Sequence, residues 1–306
     1  MKKKTRGVYY LSCGRWLNKS DFIKYFEKKV LKTIRKYNLI GKKDKIAVAY
    51  SGGKDSLTLL YLLNKIYAPR GQKVMGITID EGIPGYRNKI LKDAEKFLKQ
   101  NNIEVKIFSF KKEFGFTLAS KKKRIEKLGI SNCYVCSILK RWLLNKKAKQ
   151  LKFDVVCTAH SLDDEAESIL INFLKGNPEL LAKLGPATGT RRTKEFVQRV
   201  KPFYLCSTKE IVLYAKLKKI PIPSKQYCIC PLRGLTLRIE IRRWLSKLEK
   251  KHCEVKNAIV KSFLKIMPVL KKEYKKIEFQ KCKKCGWASS GDYCKACTIL
   301  KELEKK

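Results

Sequence analysis

The chain has 306 residues, enough for one catalytic domain with smaller appendages and too many for a short peptide. Lys and Arg number 71 against 27 Asp and Glu, a formal net charge of +44, while 44% hydrophobic and 10% aromatic content is too apolar for a disordered basic tail. The balance points to a folded protein that faces a polyanion. With no apolar run of the ~18–20 residues that span a membrane and no apolar signal core at the N-terminus, a cytoplasmic protein with no membrane partner is expected.

Residues 1–17 hold no clear periodicity; Phe22, Phe26, Val30 and Tyr37 then recur at helical spacing and predict an amphipathic helix to about Ile40. From 44 onward β-rich runs alternate with helical ones: KIAVAY, LTLLYLLNKIY, KVMGITI, a helix after Tyr86, EVKIFSF, a helix over roughly 134–150, and DVVCTAH. That alternation predicts an α/β domain over 41–220, with a doubly wound parallel sheet and helices on both faces. PIPSKQYCICP breaks the pattern with three prolines, and basic helices follow within 221–278. Residues 279–306 form a separate cysteine-rich module, and 1–40 an N-terminal extension with its helix.

Between the first strand and its helix lies Tyr50-Ser51-Gly52-Gly53-Lys54-Asp55-Ser56, where backbone N–H groups and a helix N-terminus converge on an anion. The GxxxxGK[ST] pattern of a Walker A loop is absent, so this is a different nucleotide loop. Twelve cysteines in a reducing compartment point to metal before disulfides. Cys282, Cys285, Cys294 and Cys297, two CxxC pairs eight residues apart, have the spacing of a closed structural Zn2+ site. Cys133 and Cys136 form a third CxxC that completes no site alone. Cys228 or Cys230, about ninety residues on, would make a trio suited to an iron–sulfur cluster with one iron open; a redox pair or a second zinc are the other readings. Cys13, Cys157, Cys206 and Cys253 are isolated and read as small buried hydrophobes.

SGGKDS closely resembles the PP-loop of the ATP pyrophosphatase superfamily, whose members split ATP into AMP and pyrophosphate while adenylating a substrate oxygen. ITIDEGIPGYR (77–87), CYVCSILKRWLLN (133–145), TAHSLDDEAESILINFLKGN (158–177), VKPFYLCSTKEIVLYA (200–215) and the terminal cysteine module resemble, in the same order, its tRNA 2-thiolation branch. The likeness runs from about residue 18 to 306. It implies ATP held by Ser51, Gly52, Gly53, Lys54, Asp55 and Ser56, its adenine near Ile77 to Asp80, with Ile79 and Asp80 among the ATP-binding residues, and Mg2+ on the phosphates. It implies a [4Fe-4S] cluster on Cys133, Cys136 and a cysteine beside a proline, which favours Cys230 over Cys228. Lys140, Asp164 and Asp55 would be the catalytic side chains. Relatives of this branch often carry an N-terminal zinc knuckle; here only Cys13 precedes the first helix, with no histidine. His160 stands in a turn altered at Ala159 and Ser161, and both an ATP-binding and a structural role stay open for it.

The implied reaction adenylates the C2 oxygen of a tRNA uridine and replaces it with sulfur brought through the cluster. The donor would be sulfide or a thiocarboxylated ubiquitin-like carrier protein, and relatives make a homodimer an expectation. The tRNA would be held mainly through phosphates, by residues of 233–251 such as Arg238, Arg242 and Arg243 and by the N-terminal helix. Trp287 and Tyr293 either stack on bases or cover the small module's core. Two rivals remain: a lysidine-type adenylating enzyme, which gives the cysteine trio no task, and a non-catalytic zinc protein that binds nucleic acid, which leaves SGGKDS and LDDE unexplained.

Overall fold

β-Branched runs and amphipathic helices alternate along the chain, and in the computed structural model the runs assemble into one six-stranded sheet. The structure describes residues 7–11, 14–188, 197–222, 236–274 and 280–304. The strands are β1 (Ile46–Ala49), β2 (Val74–Asp80), β3 (Val105–Ser109), β4 (Val155–Cys157), β5 (Ala187–Thr188) and β6 (Gln198–Val200), in the spatial order β3-β2-β1-β4-β6-β5. Ile46 of β1 stands opposite both Val74 and Val155, and every pairing is parallel except the edge strand β5, which runs antiparallel to β6. The doubly wound sheet is therefore as expected, with an antiparallel edge that the alternation did not foretell. Chain order reverses between β1 and β4. In such sheets the loops leaving two neighbouring strands diverge at this point and open a crevice at their carboxyl ends.

Around the sheet lie α1 (Lys19–Lys36), α2 (Lys54–Tyr67), α3 (Arg87–Gln100), α4 (Asn132–Gln150), α5 (Leu162–Leu174), α6 (Thr208–Leu217), α7 (Leu237–Lys251), α8 (Val255–Glu273) and α9 (Lys295–Glu304). Polar caps set several starts: Asn18, Ser131, Ser161 and Ser207 each accept a first-turn N–H. One face of the sheet is covered by α1, α2, α3 and α6. Phe22, Phe26, Val30 and Ile34 of α1 are buried there, and Phe26 meets Phe203 and Tyr214 at 5.7 and 4.6 Å between ring centroids. The other face carries α4, whose Val135, Leu139 and Leu143 share a core with Ile77, Val156 and the terminal Ile299, Leu300 and Leu303 of α9. A third core joins α5 to α7 and α8 through Ala166, Ile169, Ile241, Leu245, Val260 and Phe263.

Two short features carried no readable sequence signal. Tyr9–Tyr10 pairs with Trp16–Leu17 as a ribbon against α1, and β5 with β6 is short enough that no alternation develops. Cys157 and Cys206 are buried as expected, whereas Cys253 is exposed in the turn between α7 and α8; Cys13 lies outside the described residues.

Candidate active site

The crevice at the switch point is a cavity of about 520 Å³, and residues from five separate stretches of chain line it, Leu118 alone forming one of them. The loop after β1 supplies Ser51, Gly53, Asp55 and Ser56. Gly52 has φ +81°, and a Cβ there would lie 2.4 Å from Ile90 Cγ2, so both the turn and the packing on α3 demand glycine. The two serine hydroxyls lie 3.0 Å apart, Ser56 Oγ donates to the Gly53 carbonyl at 2.9 Å, and the Ser51 N–H donates to Ser56 Oγ at 3.1 Å. Gly53 begins α2 with no side-chain cap, which leaves the first N–H groups of that helix for an anion. Lys54 pairs with Asp55 at 2.8 Å. Burial raises the Asp55 carboxyl, Lys54 opposes this, and Asp164 and Asp163 push it further up.

From β2 come Ile77 and Ile79. Asp80 is absent from the lining and accepts the Gly82 N–H at 2.9 Å, holding the turn after the strand. The next residue, Glu81, is 2% exposed and grips Arg87, itself 3% exposed, at 2.7 Å; Arg87 also donates to the Ser51 carbonyl. Lys140 Nζ of α4 bonds the same Glu81 Oε1. Burial alone would raise the Glu81 carboxyl, but Lys140 and Arg87 hold it below its ordinary value. A buried carboxylate thus joins the nucleotide loop, the end of β2 and the cysteine helix. Sequence reasoning passed over Glu81 and Arg87. Their signal was an acidic residue at a strand's carboxyl end followed six residues later by an arginine.

α4 brings Cys133 and Cys136 to the cavity, one turn apart and neither in a disulfide, with Asn132, Ser137, Lys140 and Arg141 beside them. The Oδ1 of Asn132 is buried without a hydrogen-bond partner. Cys228 and Cys230 lie outside the described residues. From β4 come Thr158, Ala159 and His160; His160 Nδ1 lies 3.0 Å from Thr158 Oγ1. The walls of the cleft, Lys201 and Arg141 push the imidazole down to about 4 against the pull of Asp164, so the ring is neutral at pH 7.

Each acidic side chain at the start of α5 meets a cation, although Glu165 Oε2 is buried without a hydrogen-bond partner. Asp164 Oδ2 accepts from the Ser161 N–H and hydroxyl, both at 3.0 Å, as the N3 member of a capping box, while Oδ1 lies 3.4 Å from Arg242. Asp163 meets Lys256 of α8 and the Thr208 N–H; Glu165 meets Lys201 at 2.7 Å. Arg238 and Arg242 both reach Glu167, at 3.2 and 2.6 Å, whereas Arg243 is exposed on α7. Away from the cavity, the sulfurs of Cys282, Cys285, Cys294 and Cys297 gather within 4.8 Å of one another. The Cys294 N–H donates to Cys282 Sγ at 3.3 Å; burial would raise that thiol, but backbone donors from Cys294, Cys285 and Lys284 bring it down to about 6. Four converging sulfurs with backbone N–H support fit a tetrahedral zinc ion. Trp287 is half-buried in this module and Tyr293 exposed.

Residues 23–222 match the family model described as a PP-loop domain. The chain is 34% identical over 294 residues to a Pyrococcus horikoshii protein named tRNA-5-methyluridine(54) 2-sulfurtransferase, covering 95% of this chain and 90% of that one. It is 32% identical over 315 residues to a probable sulfurtransferase of Methanocaldococcus jannaschii, covering 98% and 89%. Among solved structures it resembles the U34-tRNA thiolase NcsA from Methanococcus maripaludis with its [4Fe-4S] cluster, with a TM-score of 0.81 and 31% identity over 100% of this chain and 96% of that one.

Proposed function

The chain belongs to the PP-loop family, and we propose that it is an ATP-dependent tRNA uridine 2-sulfurtransferase. One observation carries the reading: the nucleotide loop (Ser51, Gly53, Asp55, Ser56) and Cys133, Cys136 and Lys140 line the same cavity. A lysidine-type reaction needs the first set without the second; a non-catalytic RNA-binding protein needs neither. A relative named for position 54 is 34% identical and a solved thiolase named for U34 is 31% identical, and both names specify a tRNA uridine.

A uridine C2 carbonyl is a poor electrophile, and its oxygen must first become a leaving group. The C2 oxygen attacks the α-phosphorus of ATP, the bond to pyrophosphate breaks, and the N3 proton is given up. Sulfur then adds at C2, AMP departs with the former C2 oxygen, and N3 recovers a proton. The amides of the 51–54 loop, the serine hydroxyls and Lys54 stabilise the departing pyrophosphate, with Asp55 placed to hold Mg2+ on it. Ile77 and Ile79 give the adenine an apolar wall. Cys133, Cys136 and a third cysteine, Cys230 before Cys228, would hold a [4Fe-4S] cluster, which supplies an open iron for the incoming sulfur. Lys140, fixed by Glu81, sets a positive charge beside those cysteines, and Asp164 orients the turn that carries His160. Arg243 on α7 and the basic face of α1 hold tRNA phosphates. The C-terminal cysteines hold Zn2+. The remaining expectations fit this assignment: a cytoplasmic enzyme, as a Candida glabrata relative named cytoplasmic tRNA 2-thiolation protein 1 supports, a sulfide or carrier-protein donor, and a homodimer. Among the described residues no helix is long and apolar enough to cross a membrane.

The test is anaerobic incubation of the cluster-loaded protein with ATP, sulfide and tRNA, followed by nucleoside mass spectrometry and pyrophosphate assay. 2-Thiouridine and pyrophosphate should form together, and both should fall at least a hundredfold in Lys54→Ala at unchanged thermal melting. Pyrophosphate without 2-thiouridine, joined to a different modified nucleoside, would select the lysidine-type reaction instead.

A further inference from the structure

Cations crowd the His160 end of the cavity. Three of them are matched: Lys201 by Glu165 at 2.7 Å, and Arg238 and Arg242 by Glu167 at 3.2 and 2.6 Å. Arg141 and Arg199 are not. Among the described residues neither meets a carboxylate or makes a hydrogen bond through its guanidinium, and the two repel one another.

Their placement follows from the fold. Arg141 is the residue after Lys140 on α4 and lines the cavity. Arg199 stands opposite Val156 in the parallel register of β6 with β4, and partners in register share a face of the sheet. Val156, together with Val197 two residues before Arg199, lies in the core beneath α4, so Arg199 faces the same helix. Burial depresses both guanidinium groups; Arg238 lowers Arg141 further, and Arg141 helps bring Arg199 down to about 10. Two like charges facing one helix, with no carboxylate partner among the described residues, repel one another in the free protein. A bound anion removes that repulsion.

We propose that Arg141 and Arg199 form a phosphate-binding subsite that takes an RNA phosphodiester next to the target uridine. The assignment rests on the thiolase reading. Planar guanidinium forks suit a phosphate's paired oxygens better than a point charge does. RNA is favoured over ATP as the source because β6 stands two strands from β1, a lateral offset of roughly 10 Å at ordinary strand spacing. The phosphate loop follows β1, so the nucleotide phosphates already have their own amides and Lys54. A phosphodiester held beyond His160 places the adjoining base at the middle of the cavity, between the loop and the cysteines. Arg238 and Arg242, whose charge Glu167 takes up, are less free to do this.

The test uses the full chain with the double substitution Arg141→Gln and Arg199→Gln, bulk deacylated tRNA, and a non-hydrolysable α,β-methylene analogue of ATP. tRNA should bind roughly tenfold more weakly, and the slope of log K against log salt should become shallower by about one. The analogue's affinity should stay within twofold. The free variant should melt at or above the wild-type temperature, because the substitution relieves repulsion; a merely structural arginine pair would melt lower. Lys at both positions should recover part of the tRNA affinity. Unchanged tRNA binding and salt slope, with wild-type protein still forming 2-thiouridine, would overturn the subsite and leave the thiolase reading standing. Loss of analogue binding with tRNA binding intact would reassign the arginines to ATP. A wild-type protein that binds no tRNA would overturn both.

Discussion

Glu81 shows how one side chain can make three parts of a site depend on each other. Its carboxylate lies between Arg87 and Lys140, and Arg87 in turn holds the Ser51 carbonyl of the nucleotide loop. Removing it strands the deeply buried Arg87, so Glu81→Ala should cost on the order of 3–5 kcal/mol in urea unfolding. Because the folded carboxyl is held below its ordinary value, its contribution is complete above the unfolded value near 4.5 and is lost as pH falls below it. The acid limb of the stability curve should therefore flatten in Glu81→Gln, and an unchanged limb would show that the triad contributes nothing there. His160 titrates with the same sense for a different reason. The unfolded imidazole, near 6.5, takes up protons before the folded one, near 4, so the stability it contributes is full above pH 6.5 and declines toward pH 4. The chain has two histidines. In His252→Gln the surviving imidazole C–H resonance should stay fixed between pH 8 and 6 and move only near pH 4. The phosphate loop and both CxxC groups were legible in sequence because each is a short contiguous motif whose chemistry is local. Glu81, Arg87 and Arg199 were not, because each acquires its role from residues that only the sheet's topology brings near.

At the scale of elements, α4 is the member on which the rest of the site is registered. Its first two turns present Cys133 and Cys136, its third Lys140 and Arg141, and its apolar side holds Val135, Leu139 and Leu143 against the sheet. The alternation of strands and helices placed this helix correctly in sequence; its packing against the terminal module could not be read there. Ile299, Leu300 and Leu303 of α9 lie in the same core, and Arg124 Nε donates to the Glu302 carbonyl at 3.3 Å. The C-terminal cysteines therefore support the helix that carries the other pair. Cys294→Ala, or a chelator strong enough to strip zinc, should release α9. Each of its three apolar side chains contributes about 1.5–3 kcal/mol by burial, so several kcal/mol should disappear from unfolding. Because α4 shares that core, reconstitution should load less iron on Cys133 and Cys136 although neither was changed. Full iron content in a zinc-free protein with a lowered melting temperature would show that the two centres are independent.

For the whole molecule the governing quantity is charge. A formal +44 on 306 residues means that most lysines and arginines lack an acidic partner, and the carboxylates near the cavity are already engaged: Glu81, Asp163, Asp164, Glu165 and Glu167 each meet a cation. Beyond the arginines at the cavity, much of the excess positive charge is carried on surfaces such as α1, where Lys24, Lys28, Lys32, Arg35 and Lys36 border a shallow groove. Self-repulsion on this scale opposes the compact state and is screened by salt, with a Debye length of about 10 Å at 0.1 M and about 3 Å at 1 M. The same charge drives RNA binding by releasing counterions, and that drive weakens with salt. Two observables on one protein should therefore move in opposite directions between about 50 and 300 mM sodium chloride: the melting temperature of the free chain should rise, and its affinity for tRNA should fall by two or more orders of magnitude. Added tRNA should raise the melting temperature strongly at the low end of this range and hardly at all at the high end. Reversing three α1 lysines to glutamate should increase stability at low salt and make the binding slope shallower by two to three. A chain whose melting temperature falls as salt is added would place its stability in ion pairs such as Lys201–Glu165 and Arg242–Glu167, and the unpaired surface charge would then have no measurable effect on folding.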